Sequence, residues 1–304
     1  MQVKRKSSVI IRRRKKLWII GAAAVLVIGL ITGLLLIILT KPAAENTTVG
    51  DKPKQDYIIY RDVAIPIADG VAENPYDKDL FVMQDNGRMI YDSDEVTTYA
   101  GIDVSTHQNH IDWTAVKNSG VDFAMIRAGF RGATEGQIYI DNQFAYNING
   151  ALAVGIDVGI YFFSQAITVE EAREEVDVLL RWIKGYDVTY PIVFDWEFQP
   201  EIEDNRTGDM TGELLTDIAI EFCNQVYRAG YTPMVYFNLD LGYMYYDLNR
   251  VSNYDFWVAE HDERAPNFYY DFTMYQYTNR CVVPGVPVPV DMNLCFVDYK
   301  NKAD

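Results

Sequence analysis

The sequence predicts an α/β fold: an irregular TIM-like β/α barrel, preceded by an N-terminal transmembrane helix and a short β-hairpin. Two observations predict the barrel. From residue 99 onward, strand-like runs alternate with helix-like stretches, which is typical of parallel βαβ units. Polar side chains also fall at the C-terminal ends of these runs, where β/α barrels build their sites. The helix-like stretches are missing from the last third, so we expect the barrel to be irregular there.

The first forty residues contain the predicted membrane segment. Eight basic residues, the last of them Lys16, precede residues 17–40, which carry no charge. A helix of this length is about 36 Å long, enough to cross a hydrocarbon core of about 30 Å. The basic cluster is expected to keep residues 1–16 in the cytoplasm, which makes a single-pass cell-membrane protein with an extracellular C-terminal domain. A cleaved signal peptide is the alternative, although its apolar region is usually about 7–15 residues long.

The rest of the chain divides into three predicted parts. Residues 41–79 are polar with scattered Pro, Gly and Asn, and are expected to form an extracytoplasmic stalk. Residues 80–98 contain two short apolar runs around Asn86 and Gly87, which predicts a small hairpin appendage. Residues 99–304 are expected to form the barrel.

Seven strand-like runs and four helix-like stretches make up the predicted barrel. The strand-like runs are YAGIDVS, VDFAMIRAG, DVGIYFFS, YPIVFDWE, TPMVYFN, DFWVAEH and FTMYQYT. The helix-like stretches cover residues 111–120, 141–155, 169–185 and 211–230. Each stretch ends in a glycine suited to a left-handed C-cap, namely Gly120, Gly155, Gly185 and Gly230.

Charge and cysteine content narrow the classes of partner and cofactor. Residues 41–304 carry 19 basic and 43 acidic side chains, which argues against nucleic acid as a partner. No Cys/His cluster has the spacing of a zinc site, and we predict neither a metal nor a cofactor. Cys223 is expected to be a buried thiol, whereas Cys281 and Cys295 flank a Pro-rich loop and are candidates for a disulfide bond in an oxidising exterior.

Ten polar residues fall towards the C-terminal ends of the predicted strands. They are Asp103, Arg127, Tyr161, Ser164, Asp195, Glu197, Tyr236, Asn238, Glu260 and Gln276. Any one of them alone is compatible with an ordinary rim residue. Ten such residues across seven strands predict a site at this end of the barrel.

Asp195 and Glu197 stand two residues apart after an apolar run, so a strand directs both carboxylates to one face. Such a pair suits glycoside cleavage, because one group donates a proton while the other stabilises a positive transition state. Flat faces for sugar rings are expected from Tyr161, Trp196, Tyr236, Tyr275 and Tyr277. Two other interpretations stay open: aromatic residues fill the barrel while a carboxylate pairs with Arg127, or the carboxylates bind a hard cation.

Five motifs follow one another along the predicted barrel: GIDVSTHQNHIDW, DVGIYFFSQA, YPIVFDWE, AGYTPMVYFN and YQYTNRCVVPGVPVPVDMNL. Together they resemble glycoside hydrolase family 25, the muramidases (lysozymes) that cleave the β-1,4 bond between N-acetylmuramic acid and N-acetylglucosamine. The resemblance covers about residues 99–298. It implies an irregular β/α barrel with fewer helices than strands. It also implies that the partners are peptidoglycan glycan strands and, through residues 17–40, the membrane.

The resemblance also implies residue roles. Glu197 matches the general acid, and Asp195 matches the residue that stabilises the cation or orients the 2-acetamido group of the substrate. Asp103 and Asp291 match the other acidic positions of the pocket. The residues implied to contact or support the substrate are Arg127, Tyr161, Trp196, Tyr236, Asn238 and Gln276.

Two departures from the family pattern affect the shape of the substrate groove. The family often has Ser-His-Trp-Gln after the first Asp, whereas this chain has STHQ with His107 in third place. A Gly-Asn pair before the last Asp is replaced by Pro289 and Val290. Two alternative functions stay open: a weak or inactive peptidoglycan-binding module that scaffolds a cell-wall or secretion assembly, and an enzyme acting on another glycan. The intact Glu197 favours an enzyme over the binding module.

Overall fold

The computed structural model describes residues 56–301. The predicted cytoplasmic tail (residues 1–16), the predicted membrane helix (residues 17–40) and the first part of the predicted stalk lie outside this range. Within residues 56–301, no helix is both long and apolar enough to cross a membrane.

The described part of the chain contains strands β1–β13 and helices α1–α6. The strands are β1 (Tyr57–Tyr60), β2 (Val63–Pro66), β3 (Phe81–Met83), β4 (Met89–Tyr91), β5 (Tyr99–Val104), β6 (Phe123–Arg131), β7 (Ile138–Ile140), β8 (Asp157–Ser164), β9 (Ile192–Trp196), β10 (Pro233–Asn238), β11 (Asp255–Ala259), β12 (Met274–Cys281) and β13 (Val290–Cys295). The helices are α1 (Trp113–Asn118), α2 (Phe144–Ala153), α3 (Val169–Trp182), α4 (Gly212–Arg228), α5 (Leu239–Met244) and α6 (Leu248–Val251).

Eight strands close into a barrel in the order β5, β6, β8, β9, β10, β11, β12, β13 and back to β5. The pairs from β5 through β12 are parallel, whereas β13 runs antiparallel to both β12 and β5. No helix of the described residues separates β11, β12 and β13. The predicted barrel and its irregular last third are therefore confirmed, but β13 was not among the predicted strands.

The helix ends follow the signals of the sequence. Asp112, Thr168 and Thr211 cap the N-termini of α1, α3 and α4, each accepting a hydrogen bond from a backbone N–H of the first turn. The four glycines predicted as C-caps all have a positive φ, between 74° and 93°. These caps fix where each helix stops, and so they set where the chain enters the next strand.

The barrel interior has an apolar end and a polar end. Phe123, Met125, Val193 and Met234 form an apolar cluster near the N-terminal ends of the parallel strands. Gly101 makes room for this cluster, because a Cβ atom there would lie 2.2 Å from the ring of Phe123. Side chains on the outer faces of the strands pack against the helices in a second cluster. The space left at the C-terminal ends of the strands is where the polar residues collect.

Residues 56–79 do not form the predicted stalk, because they pack on the barrel. Strands β1 and β2 make a hairpin, and beyond it the backbone N–H of Ala68 donates to the Tyr270 hydroxyl at 2.8 Å. The Tyr76 ring stacks on Phe296 with centroids 3.8 Å apart. The hairpin turn is formed by Arg61 and Asp62, with φ of 47° and 62°, so it lacks the Asn-Gly signal that normally reveals such a turn.

The predicted hairpin within residues 80–98 exists as β3 and β4, but it is not an appendage. Met89 and Tyr91 are buried, and the Tyr91 ring packs edge-on against Phe296 after the last barrel strand. Cys281 and Cys295, the candidates for a disulfide bond, are not joined. In the β12–β13 pair, Cys281 lies opposite Val290 and Cys295 lies opposite Met274, so the two cysteines are at opposite ends of the pair.

Candidate active site

A cavity of about 250 Å³ opens at the C-terminal ends of the parallel strands. Its lining residues are Asp103, Ser105, His107, Gln108, Arg127, Tyr161, Phe163, Asp195, Glu197, Tyr236, Trp257, His261, Gln276 and Asp291. The family resemblance implied ten site residues, four acidic ones and six in contact with substrate. Eight of these line the cavity, whereas Trp196 and Asn238 do not. The barrel therefore brings all four predicted acidic residues to one place.

Asp195 and Glu197 enter the cavity from the end of β9. Asp195 is 6% exposed and lies between Phe163 of β8 and Tyr236 of β10 in the strand register. Burial, followed by repulsion from Glu197, raises the pKa of Asp195 well above its ordinary value. Burial also raises the pKa of Glu197, which is the more accessible of the two. The pair therefore binds a proton more readily than ordinary carboxylates do.

Asp103 and Asp291 form the opposite wall of the cavity. They are direct partners across the antiparallel strands β5 and β13. Burial and the nearby Asp291 raise the pKa of Asp103 to about 8, so this carboxyl group keeps its proton to a higher pH than an ordinary aspartate. Burial raises the pKa of Asp291 to about 6, with repulsion from Glu197 acting in the same direction. Both shifts lower the negative charge that the cavity must hold at a given pH.

Two amide side chains hold Asp103 in place. Its Oδ2 accepts hydrogen bonds from Gln276 Nε2 at 2.9 Å and from Asn293 Nδ2 at 2.8 Å. The Trp257 indole N–H donates to Asn293 Oδ1 at 2.8 Å, and the Tyr236 hydroxyl donates to Gln276 Oε1 at 3.0 Å. The aromatic residues thus fix the two amides, and the amides fix the carboxyl group.

Arg127 does not pair with the β9 carboxylates, as one interpretation of the sequence suggested. Its Nε and one terminal nitrogen contact Asp141 Oδ2 at 2.8 and 2.7 Å. Asp141 also accepts backbone hydrogen bonds from Thr106 and Gln143. The pair therefore joins β6 to the loop after β5, and Asp141 is a supporting residue that the sequence analysis missed.

Trp196 and Asn238, which were predicted to contact the substrate, do not line the cavity. Trp196 lies between Asp195 and Glu197, so strand alternation turns it to the outer face, where it is fully buried and donates to Ala166 O at 3.2 Å. Asn238 caps α5 by accepting from the backbone N–H of Leu241 at 3.0 Å. The same alternation places Tyr275 and Tyr277 in the outer apolar cluster, and Ser164 and Glu260 also lie outside the cavity lining.

Six lining residues were not predicted as site residues. They are Ser105, His107, Gln108, Phe163, Trp257 and His261. Strand alternation within DFWVAEH was a usable signal for Trp257, since it is two residues before the inward-facing Ala259. His107 lines the cavity at the position where the family pattern has Trp, so an imidazole stands there in place of an indole. Among residues 56–301, no three His, Cys, Asp or Glu residues are placed to hold a metal ion.

Comparison with known proteins agrees with this arrangement. Residues 102–286 match the family model described as Glycosyl hydrolases family 25. Lysozyme M1 of Streptomyces globisporus is 28% identical over 284 residues, which is 87% of this chain and 87% of that protein.

Two solved structures share the fold. The spore cortex lytic enzyme SleM of Clostridium perfringens has a TM-score of 0.57 at 21% identity, covering 65% of this chain and 67% of that one. The modular autolysin LytC of Streptococcus pneumoniae was solved in complex with a synthetic peptidoglycan ligand. It has a TM-score of 0.58 at 22% identity, covering 79% of this chain and 57% of that one. At these identities the likeness establishes the fold alone. Because the family model matches more than half of the residues, this chain belongs to glycosyl hydrolase family 25 and is a glycoside hydrolase.

Proposed function

We propose that this enzyme is a muramidase that cleaves the β-1,4 bond between N-acetylmuramic acid and N-acetylglucosamine in peptidoglycan. The main support is the pair Asp195 and Glu197, which both line the cavity where β9 ends, at the C-terminal end of the barrel. The names of the relatives, a lysozyme, a spore cortex lytic enzyme and an autolysin bound to a peptidoglycan ligand, support the same substrate class.

In the proposed mechanism, Glu197 protonates the leaving oxygen of the glycosidic bond. The raised pKa values of Asp195 and Glu197 keep one proton on the pair closer to neutral pH, and the mechanism places it on Glu197, the more accessible carboxyl group. As the bond between the anomeric carbon and this oxygen breaks, Asp195 stabilises the positive charge or orients the 2-acetamido group of the substrate. Water then supplies a hydroxyl group to the anomeric carbon and returns a proton to Glu197.

We further propose that the catalytic domain is tethered to the outer face of the cell membrane. Support comes from the uncharged residues 17–40 and from the basic residues before them. Protease added to intact protoplasts should then remove the barrel domain while sparing a cytoplasmic marker. Protection of the barrel in that assay would contradict the orientation.

The direct test of the reaction is product analysis. The full chain, purified in detergent, is incubated with peptidoglycan, and the new reducing ends are identified by mass spectrometry. Reducing muramic acid ends would support the proposal, whereas reducing glucosamine ends would identify a glucosaminidase. Binding of glycan strands without new ends would instead favour the alternative, a peptidoglycan-binding module that scaffolds a cell-wall or secretion assembly.

A further inference from the structure

The proposed general acid lies just beyond the hydrogen-bonded part of its strand. The last partners of the β8–β9 ladder are Ser164 and Trp196, and the β9–β10 ladder ends at Asp195. Glu197 is the next residue, so neither ladder holds its backbone. General acid catalysis nevertheless requires the carboxyl group within hydrogen-bond distance of the oxygen that it protonates.

The side chain of Gln165 adds a further connection between the two strands. Its Nε2 donates to Ser164 O at 2.8 Å and to Glu197 O at 2.9 Å. Both partners are carbonyl oxygens, which only accept, so the orientation of the amide group is determined. Gln165 is fully buried, and its amide ties the backbone of Glu197 to the end of β8.

Trp196 makes the reciprocal connection. Its indole N–H donates to Ala166 O at 3.2 Å. Gln165, next to the end of β8, therefore binds the carbonyl group of Glu197. Trp196, at the end of β9, binds the carbonyl group of Ala166. We call the side chains of Gln165 and Trp196, with the carbonyl groups of Glu197 and Ala166, the clasp.

The clasp rests on a rigid base. Ser164 Oγ donates to Glu175 Oε2 at 2.7 Å, and Arg131 Nε donates to Glu175 Oε1 at 2.7 Å. All three side chains are at least 97% buried. The end of β8 is thereby fixed to α3, so the clasp connects Glu197 to a part of the fold that has little freedom to move.

Gln165 makes one unfavourable contribution to folding beside its two hydrogen bonds. Its Oε1 is buried and has no hydrogen-bond partner within residues 56–301. An unpaired buried acceptor is unfavourable, and an apolar side chain of similar length would avoid it. A glutamine at this position is explained by the hydrogen bonds that its Nε2 donates to the carbonyl oxygens of Ser164 and Glu197.

We propose that Gln165 and Trp196 are positioning residues, which fix the backbone of Glu197 so that its carboxyl group meets the glycosidic oxygen. This inference rests on the proposed role of Glu197 as general acid. The two side chains act through Glu197 and do not touch the substrate. It also gives Trp196 a function other than the sugar contact predicted from the sequence.

The first test is Gln165→Met in the full chain, because Met keeps the length while removing both hydrogen bonds and the unpaired acceptor. We expect a melting temperature that is modestly lower, because the carbonyl oxygens of Ser164 and Glu197 lose a donor while the unpaired Oε1 is removed. We also expect a kcat lower by about 10- to 100-fold and a KM within about threefold of wild type. The basic limb of the pH profile should move to lower pH, because a loosened carboxyl group gains water and its raised pKa falls. If Gln165 had a purely structural role, the basic limb of the pH profile would stay at the pH of the wild type.

Trp196→Phe and a double variant test whether the clasp acts as a unit. Trp196→Phe removes the second donor and also part of a fully buried ring, so its melting temperature is measured alongside kcat, which should fall as in Gln165→Met. The double variant should lose little more activity than the stronger single variant, because residues acting together are not additive. Tyr254→Phe is the matched control: it removes a hydroxyl that donates to Asn224 on the outside of the barrel, and it should leave kcat unchanged.

A titration separates failure of the clasp from failure of the proposed reaction. Carbon-13 NMR of glutamate side chains follows the pKa of Glu197 without any substrate, and Glu197→Gln identifies its resonance. A lower pKa of Glu197 in Gln165→Met supports the clasp even if the chain proves to cleave another bond. A wild-type pKa of Glu197 together with wild-type kcat in Gln165→Met would overturn it.

Discussion

Asp103 and Asp291 lie directly opposite each other across the antiparallel strands β5 and β13, so two carboxyl groups share one wall of the active site. The structure tolerates this because burial and repulsion raise the pKa of Asp103 to about 8. A carboxyl group with a raised pKa in the folded state takes up a proton on folding. It therefore lowers stability as pH rises from its unfolded pKa, about 3.9, to its folded pKa.

Asp103→Asn should remove part of this pH dependence. The wild type is expected to lose thermal stability between about pH 4 and pH 8, because Asp103 of the unfolded chain ionises from about pH 4 upwards while the folded protein keeps the proton. Asparagine stays neutral and keeps an oxygen for Gln276 and Asn293. We expect a gain of about 1 kcal/mol or more at pH 8, worth roughly 2–4 °C per kcal/mol, and little change at pH 4. A wild-type melting temperature that is the same at pH 4 and pH 8 would refute this mechanism.

Asp195→Asn should reduce turnover without abolishing substrate binding. The amide keeps the shape of the side chain but cannot offset the positive charge that develops at the anomeric carbon. Loss of one such electrostatic contact typically lowers kcat by about 10²- to 10³-fold. Release of reducing ends from soluble glycan gives kcat and KM. A variant with nearly normal kcat would show that Asp195 does not stabilise the transition state.

His107→Trp should strengthen glycan binding. His107 lines the cavity at the position where the family pattern has an indole, so the substitution restores an aromatic wall. An added aromatic contact is worth about 0.5–1.5 kcal/mol, so KM should fall by roughly 2- to 10-fold. His110→Trp is the control, because His110 lies outside the cavity and packs against Tyr146. If both variants have the KM of the wild type, His107 does not form part of the groove.

Glu175→Ala should destabilise the fold strongly. Its partner Arg131 is 3% exposed and would keep only weaker ion pairs, with Glu174 at 3.3 Å and Glu171 at 4.0 Å. Loss of the buried partner should therefore cost up to about 3–5 kcal/mol. The exposed pair Arg250 and Asp217 is the control, since Asp217→Ala should cost no more than about 1 kcal/mol. Denaturant unfolding measures both values. Equal, small effects would show that water reaches the buried pair.

Much of the barrel and the acidic site was predictable, because both depend on local signals. The C-cap glycines and the alternating strands predicted the barrel, and the spacing of Asp195 and Glu197 predicted that they share a face. β13 was missed because its run follows a loop rich in Pro and Val instead of a helix. The hairpin at Arg61 and Asp62 was missed because both residues adopt a positive φ without glycine.

Strand alternation explains why Trp196, Tyr275 and Tyr277 do not face the cavity, because a strand sends neighbouring side chains to opposite faces. Asn238 has a different cause, since its side chain caps the helix that begins at the next residue. Applied consistently, alternation would have turned Trp196 outward and kept Gln276 inward between Tyr275 and Tyr277. The bonds of Gln165 and Asp141 join parts of the chain that are distant in sequence, so no local pattern could reveal them.

The central claim is that Glu197 donates the proton that breaks the glycosidic bond. Glu197→Gln keeps the shape of the side chain but removes the transferable proton, so cleavage of soluble peptidoglycan fragments should fall by at least about 10²- to 10⁴-fold. Glycan binding and melting temperature should stay close to those of the wild type. Glu203→Gln is the matched control, because Glu203 is exposed and does not line the cavity. Cleavage by Glu197→Gln within a few fold of the wild type, in the same reducing-end assay, would contradict the account.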